Sequence, residues 1–270
     1  QNMRLDAIDS GFASPPQAAE PLRTTELRAL WNFAQSLSAA RGRPEIDRVD
    51  YNFQVDWDVP DGRVTITTRA RGSPLDKLVA ELMIHVNNSW GRVLADAGNA
   101  GFYRVQSGGK VKMSTRPGEH QGLGLAHYLW ASSPLRRYSD LVNQRQLLAT
   151  IAGDPPPYAA NDAELFAALA DFEATYSQYA EFQDRMEHYW CLRWLQQQAC
   201  TEVVATVVRD NLVRFDALPL WTRLPDLPAC VPDTRIRVGI GRIDLLAATL
   251  ECRFLGTLEV VATANAMTQP

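Results

Sequence analysis

Apolar residues recur at helical spacing in the first well-patterned stretch of the chain, where Leu27, Leu30, Trp31, Ala34 and Leu37 share one face. Thr24 or Thr25 caps this helix, and Gly42 and Pro44 stop it just after Arg41. The period then changes to two. DYNFQVDW and RVTITTRA alternate around DVPDG and predict a hairpin over residues 50–70. Ser73-Pro74 joins a capping serine to a proline suited to a first helical position, so a second helix is expected from there to about Asp96, ahead of Gly98. GFYRVQ (101–106) reads as a short strand and residues 107–121 as a basic, glycine-containing loop. Ser132 or Ser133 with Pro134 repeats the capping pattern and predicts a third helix from Pro134 to about Ala152. Beyond the proline-rich GDPPPY, residues 161–198 read as one long helix rich in aromatic and charged residues.

The texture changes at about Thr201. TEVVATVV, NLVRFDA, LPLWTRL, RIRVGIGRI and ATLECRFL are five short β-type runs split by turns, which suits a small barrel of the OB type. The class is therefore α+β. Residues 1–22 form a polar, proline-bearing arm, 23–198 a part with long helices packed on strands, 201–256 the OB-like barrel, and 257–270 a tail. No internal repeat is evident.

Composition narrows the class. Of 270 residues, 46% are hydrophobic and 21% charged, as in a globular protein rather than a disordered or coiled-coil one. The formal net charge of -4 excludes a globally basic coat protein but permits a local basic groove. Cys191, Cys200, Cys230 and Cys252 form no C-x-x-C pair, so they read as buried thiols of a cytoplasmic protein rather than as a zinc site. No apolar run is long enough to span a bilayer, so no membrane partner is expected, and QNMRLDAIDSG has no apolar core of a signal peptide. The chain opens on Gln1 rather than Met, which suggests that residues precede it.

The stretch from Gly122 to Ala149 carries the chemistry. A helix starting at Pro134 would present unpaired first-turn amides, the positive end of its dipole, and Arg136 and Arg137 in one place, which makes a phosphate site. Asp140 lies one turn on and is placed to fix one of the two arginines. Gly122 and Gly124 allow close approach of the backbone to a ligand or another segment. Across residues 104–145, Arg104, Lys110, Lys112, Arg116, Arg136, Arg137 and Arg145 face only Glu119 and Asp140, the footprint of a site for a polyanion. His85, His127 and His188 lack metal-ligand spacing and read as core or surface residues.

SSPLRRYSDLVNQR (132–145) resembles the signature of the ribonuclease II (RNB) exoribonucleases, and HQGLGLAHYLWA (120–131) resembles the approach to it. LDKLVAELMIHVNNSWGRVLADAGNAGFYRVQ (75–106) is similar to that family's glutamate-x-methionine…asparagine helix and the strand after it. The resemblance implies the C-terminal half of an RNB catalytic domain followed by its RNA-binding barrel. It also implies a monomer that hydrolyses single-stranded RNA from the 3′ end to nucleoside 5′-monophosphates with Mg2+. Within it, Arg136 matches the arginine that steadies the scissile phosphate, and Glu81 the acid near the terminal ribose. Phe53 falls where an aromatic stacks on the last base, or else is a hairpin core residue. Tyr103, His120, Arg137, Tyr138, Arg145, Lys110 and Lys112 fall along the implied RNA path, with Tyr138 and Asp140 acting more as scaffold. Phe215, Trp221 and Arg223 are the barrel's candidate platform, with core packing as the other reading.

Two departures bear on function. Gln144 stands where the family often has histidine. Nothing corresponds to the family's metal-binding aspartates, since Asp56, Asp58 and Asp61 fit a hairpin tip. The metal ligands are thus expected in an N-terminal part of the same protein, and this chain alone is expected to bind RNA without cutting it efficiently. A degenerate RNA- or protein-binding relative, or a phosphate-binding helix in a metabolic enzyme, are the other readings.

Overall fold

The computed structural model describes residues 24–42, 48–60 and 62–258. The expected arm (1–22), nearly all of the tail (257–270) and Asp61 lie outside them. Contacts divide the chain into two units, residues 1–48 with 70–178 and residues 49–69 with 179–270. This division differs from a boundary near residue 200. The hairpin and the last part of the long helix go with the β-rich unit.

In the first unit, α1 (Thr24–Arg41) packs on α2 (Pro74–Asp96) through Ala34, Leu75 and Leu78, with Trp31 and Leu82 alongside. Ser73 caps α2, its hydroxyl accepting the Asp76 amide at 3.3 Å, and Pro74 follows at the position where a missing N–H costs nothing. A short antiparallel ribbon pairs β3 (Tyr103–Val105) with β4 (Lys112–Ser114). Because neighbours on extended chain point opposite ways, Phe102 and Tyr103 feed different clusters. Phe102 joins Ala100, Val142, Leu165 and Leu169, and Tyr103 joins Leu94, Leu129, Ala131 and Leu147. Helix α3 (Tyr138–Ala152) supplies a residue to each cluster and is thereby wedged into the middle of the unit.

In the second unit, β1 (Arg48–Asp56) and β2 (Arg63–Arg71) form the hairpin. Strands β5 (Glu202–Arg209), β6 (Leu212–Phe215), β7 (Trp221–Arg223), β8 (Arg235–Asp244) and β9 (Thr249–Thr257) form one antiparallel sheet in the order β7-β6-β5-β8-β9. The sheet curls, but β7 and β9 remain its edges, so it is a half-barrel rather than a ladder closed on itself. Its open side is filled from elsewhere in the chain. Cys191, Leu192 and Leu195 of α4 (Ala163–Gln197) join Ala205, Val207, Val213, Phe215, Ile236 and Val238 in one core, with Phe53 and Ile66 of the hairpin packed against it. Gln197 completes the junction: its amide donates to Val64 O (2.9 Å) and accepts from Val64 N (2.8 Å).

Candidate nucleic-acid interface

The basic pair lies in a turn rather than in a helix. α3 begins at Tyr138, four residues after Pro134, and Arg137 takes the cap position with extended backbone (φ -131°, ψ 118°). The cause is Asp140. Its fully buried carboxylate accepts the Ser133 amide at 2.8 Å, the Arg137 guanidinium at 2.6 Å and the Ser139 hydroxyl at 3.1 Å. The Ser133 carbonyl in turn accepts the amides of Arg136 (3.3 Å) and Arg137 (3.1 Å). The segment is folded back around one buried charge, so its amides are not aimed outward along a helix axis. Arg136 is exposed and has no ion pair or side-chain hydrogen bond among the described residues.

Arg137 also lies over the Trp130 ring at 4.3 Å, and Arg104 lies over the same ring at 3.7 Å. Cation–π contacts of partly buried guanidinium groups are worth about 1–2 kcal/mol each. Trp130 is fixed through its backbone by α3. Asn143 donates to Trp130 O (2.7 Å) and Phe102 O (3.1 Å) and accepts from Phe102 N (2.6 Å). Gln144 donates to Ala131 O (2.7 Å), and the Ala131 amide donates to Asn87 Oδ1 (3.2 Å). Gln146 holds Ala100 O and both polar groups of the Tyr158 backbone. The polar face of α3 therefore positions the floor of the site. Asn87, Trp130, Asn143 and Gln146 were not singled out from the sequence.

On the other side of the glycine-rich approach, Arg41 and Glu81 form a close ion pair, and Arg41 also donates to Leu123 O at 3.3 Å. Arg41 lines a cavity of about 580 Å³ with Gly42, Glu119, Gly124, Leu125 and Ala126. The second Glu81 oxygen is buried and has no partner among the described residues. Of the two glycines of the approach, Gly124 is the constrained one, in the left-handed region (φ 66°); a Cβ on Gly122 would displace only the end of the flexible Gln106 side chain. His120 is buried, its amide donating to Leu125 O at 2.8 Å and its ring edge-on to Tyr128. Burial holds its imidazole below the usual value; a backbone hydrogen bond opposes this and Arg104 adds to it.

The remaining candidates are spread more widely. Tyr103 is a core residue, fully buried with its hydroxyl near Gly91 O at 3.4 Å, and is not on an RNA-accessible surface; burial raises its phenol pKa. Phe53 packs against the core of the second unit. Lys110, Lys112 and Arg145 are exposed, and Tyr138 is half-exposed beside Tyr158. In the half-barrel, Phe215 is core, while Trp221 is exposed and Arg223 bonds Asn211 at 2.9 Å. Among the described residues, no three His, Cys, Asp or Glu side chains are placed to hold a metal ion, so the residues present do not fit a metal centre.

Residues 107–153 match the RNB domain family. The chain is 54% identical over 45 residues to Exoribonuclease 2 of Edwardsiella piscicida and 48% over 44 residues to that of Escherichia fergusonii, spanning 17% and 16% of this chain. Each match spans 7% of the relative's own length. Among solved structures, the Dss1 exoribonuclease of Candida glabrata superposes with a TM-score of 0.76 at 19% identity, over 93% of this chain and 38% of that one. RNase R of Mycoplasma genitalium superposes at 0.74 and 14% identity, over 93% and 52%, and has also been solved with ribose-methylated single-stranded RNA. At these identities the superpositions show the fold: long helices on short strands followed by a curled five-stranded half-barrel.

Proposed function

We propose that this chain, whose central segment is RNB-domain sequence, is the strand-gripping part of a 3′–5′ exoribonuclease that converts single-stranded RNA to nucleoside 5′-monophosphates. The observation that carries the reading is the Ser132–Arg137 turn. A fully buried carboxylate is spent on holding that turn and Arg137, and Arg136 is left exposed and without a partner. A guanidinium that no carboxylate neutralises, carried on a turn held by a buried charge, is available to bind a phosphodiester and to stabilise the charge that builds on it during displacement. Glu81, anchored through one oxygen by Arg41, keeps its other oxygen buried without a partner among the described residues, and a ribose 2′-hydroxyl reaching it would satisfy it; that hydroxyl is the group that tells RNA from DNA. The RNB match over 107–153 and the Exoribonuclease 2 relatives support the activity, and RNase R with bound RNA supports the substrate.

RNB exoribonucleases are metal-dependent hydrolases, in which carboxylates hold the ions. The described residues provide no such set, and the reading assigns Mg2+ to aspartates in an N-terminal part of the same protein. What this chain's own residues do is bind the strand, orient its last phosphate at Arg136 and read its ribose at Glu81. The test is a paired assay on the intact protein with a labelled RNA oligomer. Arg136→Ala is expected to lower the hydrolysis rate about 100-fold while weakening RNA binding only a few-fold. Equal losses of both would reject the transition-state role.

A further inference from the structure

The first unit holds a second concavity of about 450 Å³, lined by Arg104, Lys112, Met113, Phe172, Tyr176 and Ser177 together with Val111, Ala174 and Glu173. It shares no lining residue with the Arg41 cavity. Arg104 is the unusual member. It is half-buried, and its guanidinium has neither a carboxylate nor a side-chain hydrogen-bond partner among the described residues; it lies over the face of Trp130 at 3.7 Å. The guanidinium on the same ring, Arg137, is already neutralised by Asp140 and only repels it. A partly desolvated, uncompensated cation is costly unless an anion joins it. Lys112 stands exposed at the same cavity, and the acid there, Glu173, has one oxygen committed to the Met113 amide at 3.3 Å. Against these cations stand two aromatic rings, Phe172 and Tyr176, stacked at 5.7 Å and 27°. Tyr176 also meets Trp130 at 6.0 Å and 60°, and remains half-exposed, so part of its ring is open to the cavity.

We propose that this cavity is a second nucleotide-binding site, which takes a phosphate between Arg104 and Lys112 and a base against Tyr176. The ligand chemistry is that of a nucleoside 5′-phosphate. Its source is an upstream nucleotide of the RNA strand, and only this choice of source rests on the exoribonuclease reading. Two cations beside a π-face suit a nucleotide better than an acidic peptide, which would leave the rings unused. The volume lies in the range of small-ligand sites, about 300–1,000 Å³.

The experiment measures binding of a fluorescent single-stranded oligoribonucleotide, and separately of adenosine 5′-monophosphate, to the full chain and to the Lys112→Gln/Tyr176→Ala double variant. Both side chains are exposed, and circular dichroism checks that the fold is kept. The double variant is expected to bind the oligomer about tenfold more weakly, to lose roughly one unit of its salt slope, and to lose the weaker mononucleotide binding. Unchanged oligomer affinity in the double variant overturns the site while leaving the exoribonuclease reading intact. Mononucleotide binding that the variant abolishes, without oligomer binding by either protein, keeps the site and sinks that reading. Binding of neither ligand removes both.

Discussion

Arg136 and Arg137 are neighbours in the chain and opposites in role. Arg137 is committed to Asp140 and to the Trp130 ring, whereas Arg136 is free at the surface. Substitution should therefore separate them: Arg137→Ala is expected to cost stability in urea unfolding, and Arg136→Ala to cost almost none. Equal stability of the two variants would contradict the assignment. The basic pair itself was legible, because two arginines behind a serine–proline turn concentrate charge wherever the turn goes. Which of them is tied down was not, since that depends on where one carboxylate points. Trp130 and Asn143 were illegible for a related reason: their partners lie far away in sequence, as with the Phe102 backbone, 41 residues from Asn143. His120 offers a pH test. Burial lowers its folded pKa beneath the ordinary 6.5, so between those two values the unfolded chain binds a proton that the folded one refuses. Stability is thus full above about pH 6.5 and falls as the pH drops toward the folded pKa. His120→Gln should flatten that part of a pH–stability curve, and an unchanged slope would assign the drop to other groups.

The same serine–proline pattern at the element scale succeeds once and fails once. At Ser73-Pro74 the serine hydroxyl caps α2 as anticipated, accepting the Asp76 amide. At Ser133-Pro134 the buried Asp140 takes the serine's own amide, and the helix starts at Tyr138 instead. A buried acceptor seven residues on outweighs a local preference of about 1 kcal/mol. Asp140→Ala should therefore do more than loosen a cap. It leaves the partly buried Arg137 charge and a backbone donor unpaired, and a loss of about 3 kcal/mol in denaturant unfolding is expected. A loss under about 1 kcal/mol would show that the turn is held by other means. The five strands of the half-barrel, by contrast, were all read, three near their observed limits and the two shortest, β6 and β7, too long, because alternating runs between turns are a local signal.

For the whole molecule, the lesson lies in what completes the half-barrel. The hairpin and the end of α4 join its core through side chains remote in sequence, as the Gln197 and Val64 pair shows across 133 residues. No local pattern announces such a junction, so a boundary at residue 200 looked natural. A piece comprising residues 201–258 alone lacks Cys191, Leu192, Leu195, Phe53 and Ile66 from its core and should show no cooperative thermal transition. A sharp, reversible melt of that piece would refute the accounting. The cysteines belong to the same picture: burial pushes the Cys191 thiol up to about 12 and Cys252 to about 11, so neither is a thiolate at neutral pH.

Helix α4 runs for 35 residues, and past the Glu173 bond to Met113 and the Tyr176 ring contacts every side chain from Gln178 to Arg185 is exposed. Two turns with no packed face are below the length at which a helix is stable in water on its own hydrogen bonds. That bare span is a fuse. Deuterium should enter its amides sooner than those of the sheathed ends, and limited proteolysis should make its first cut there.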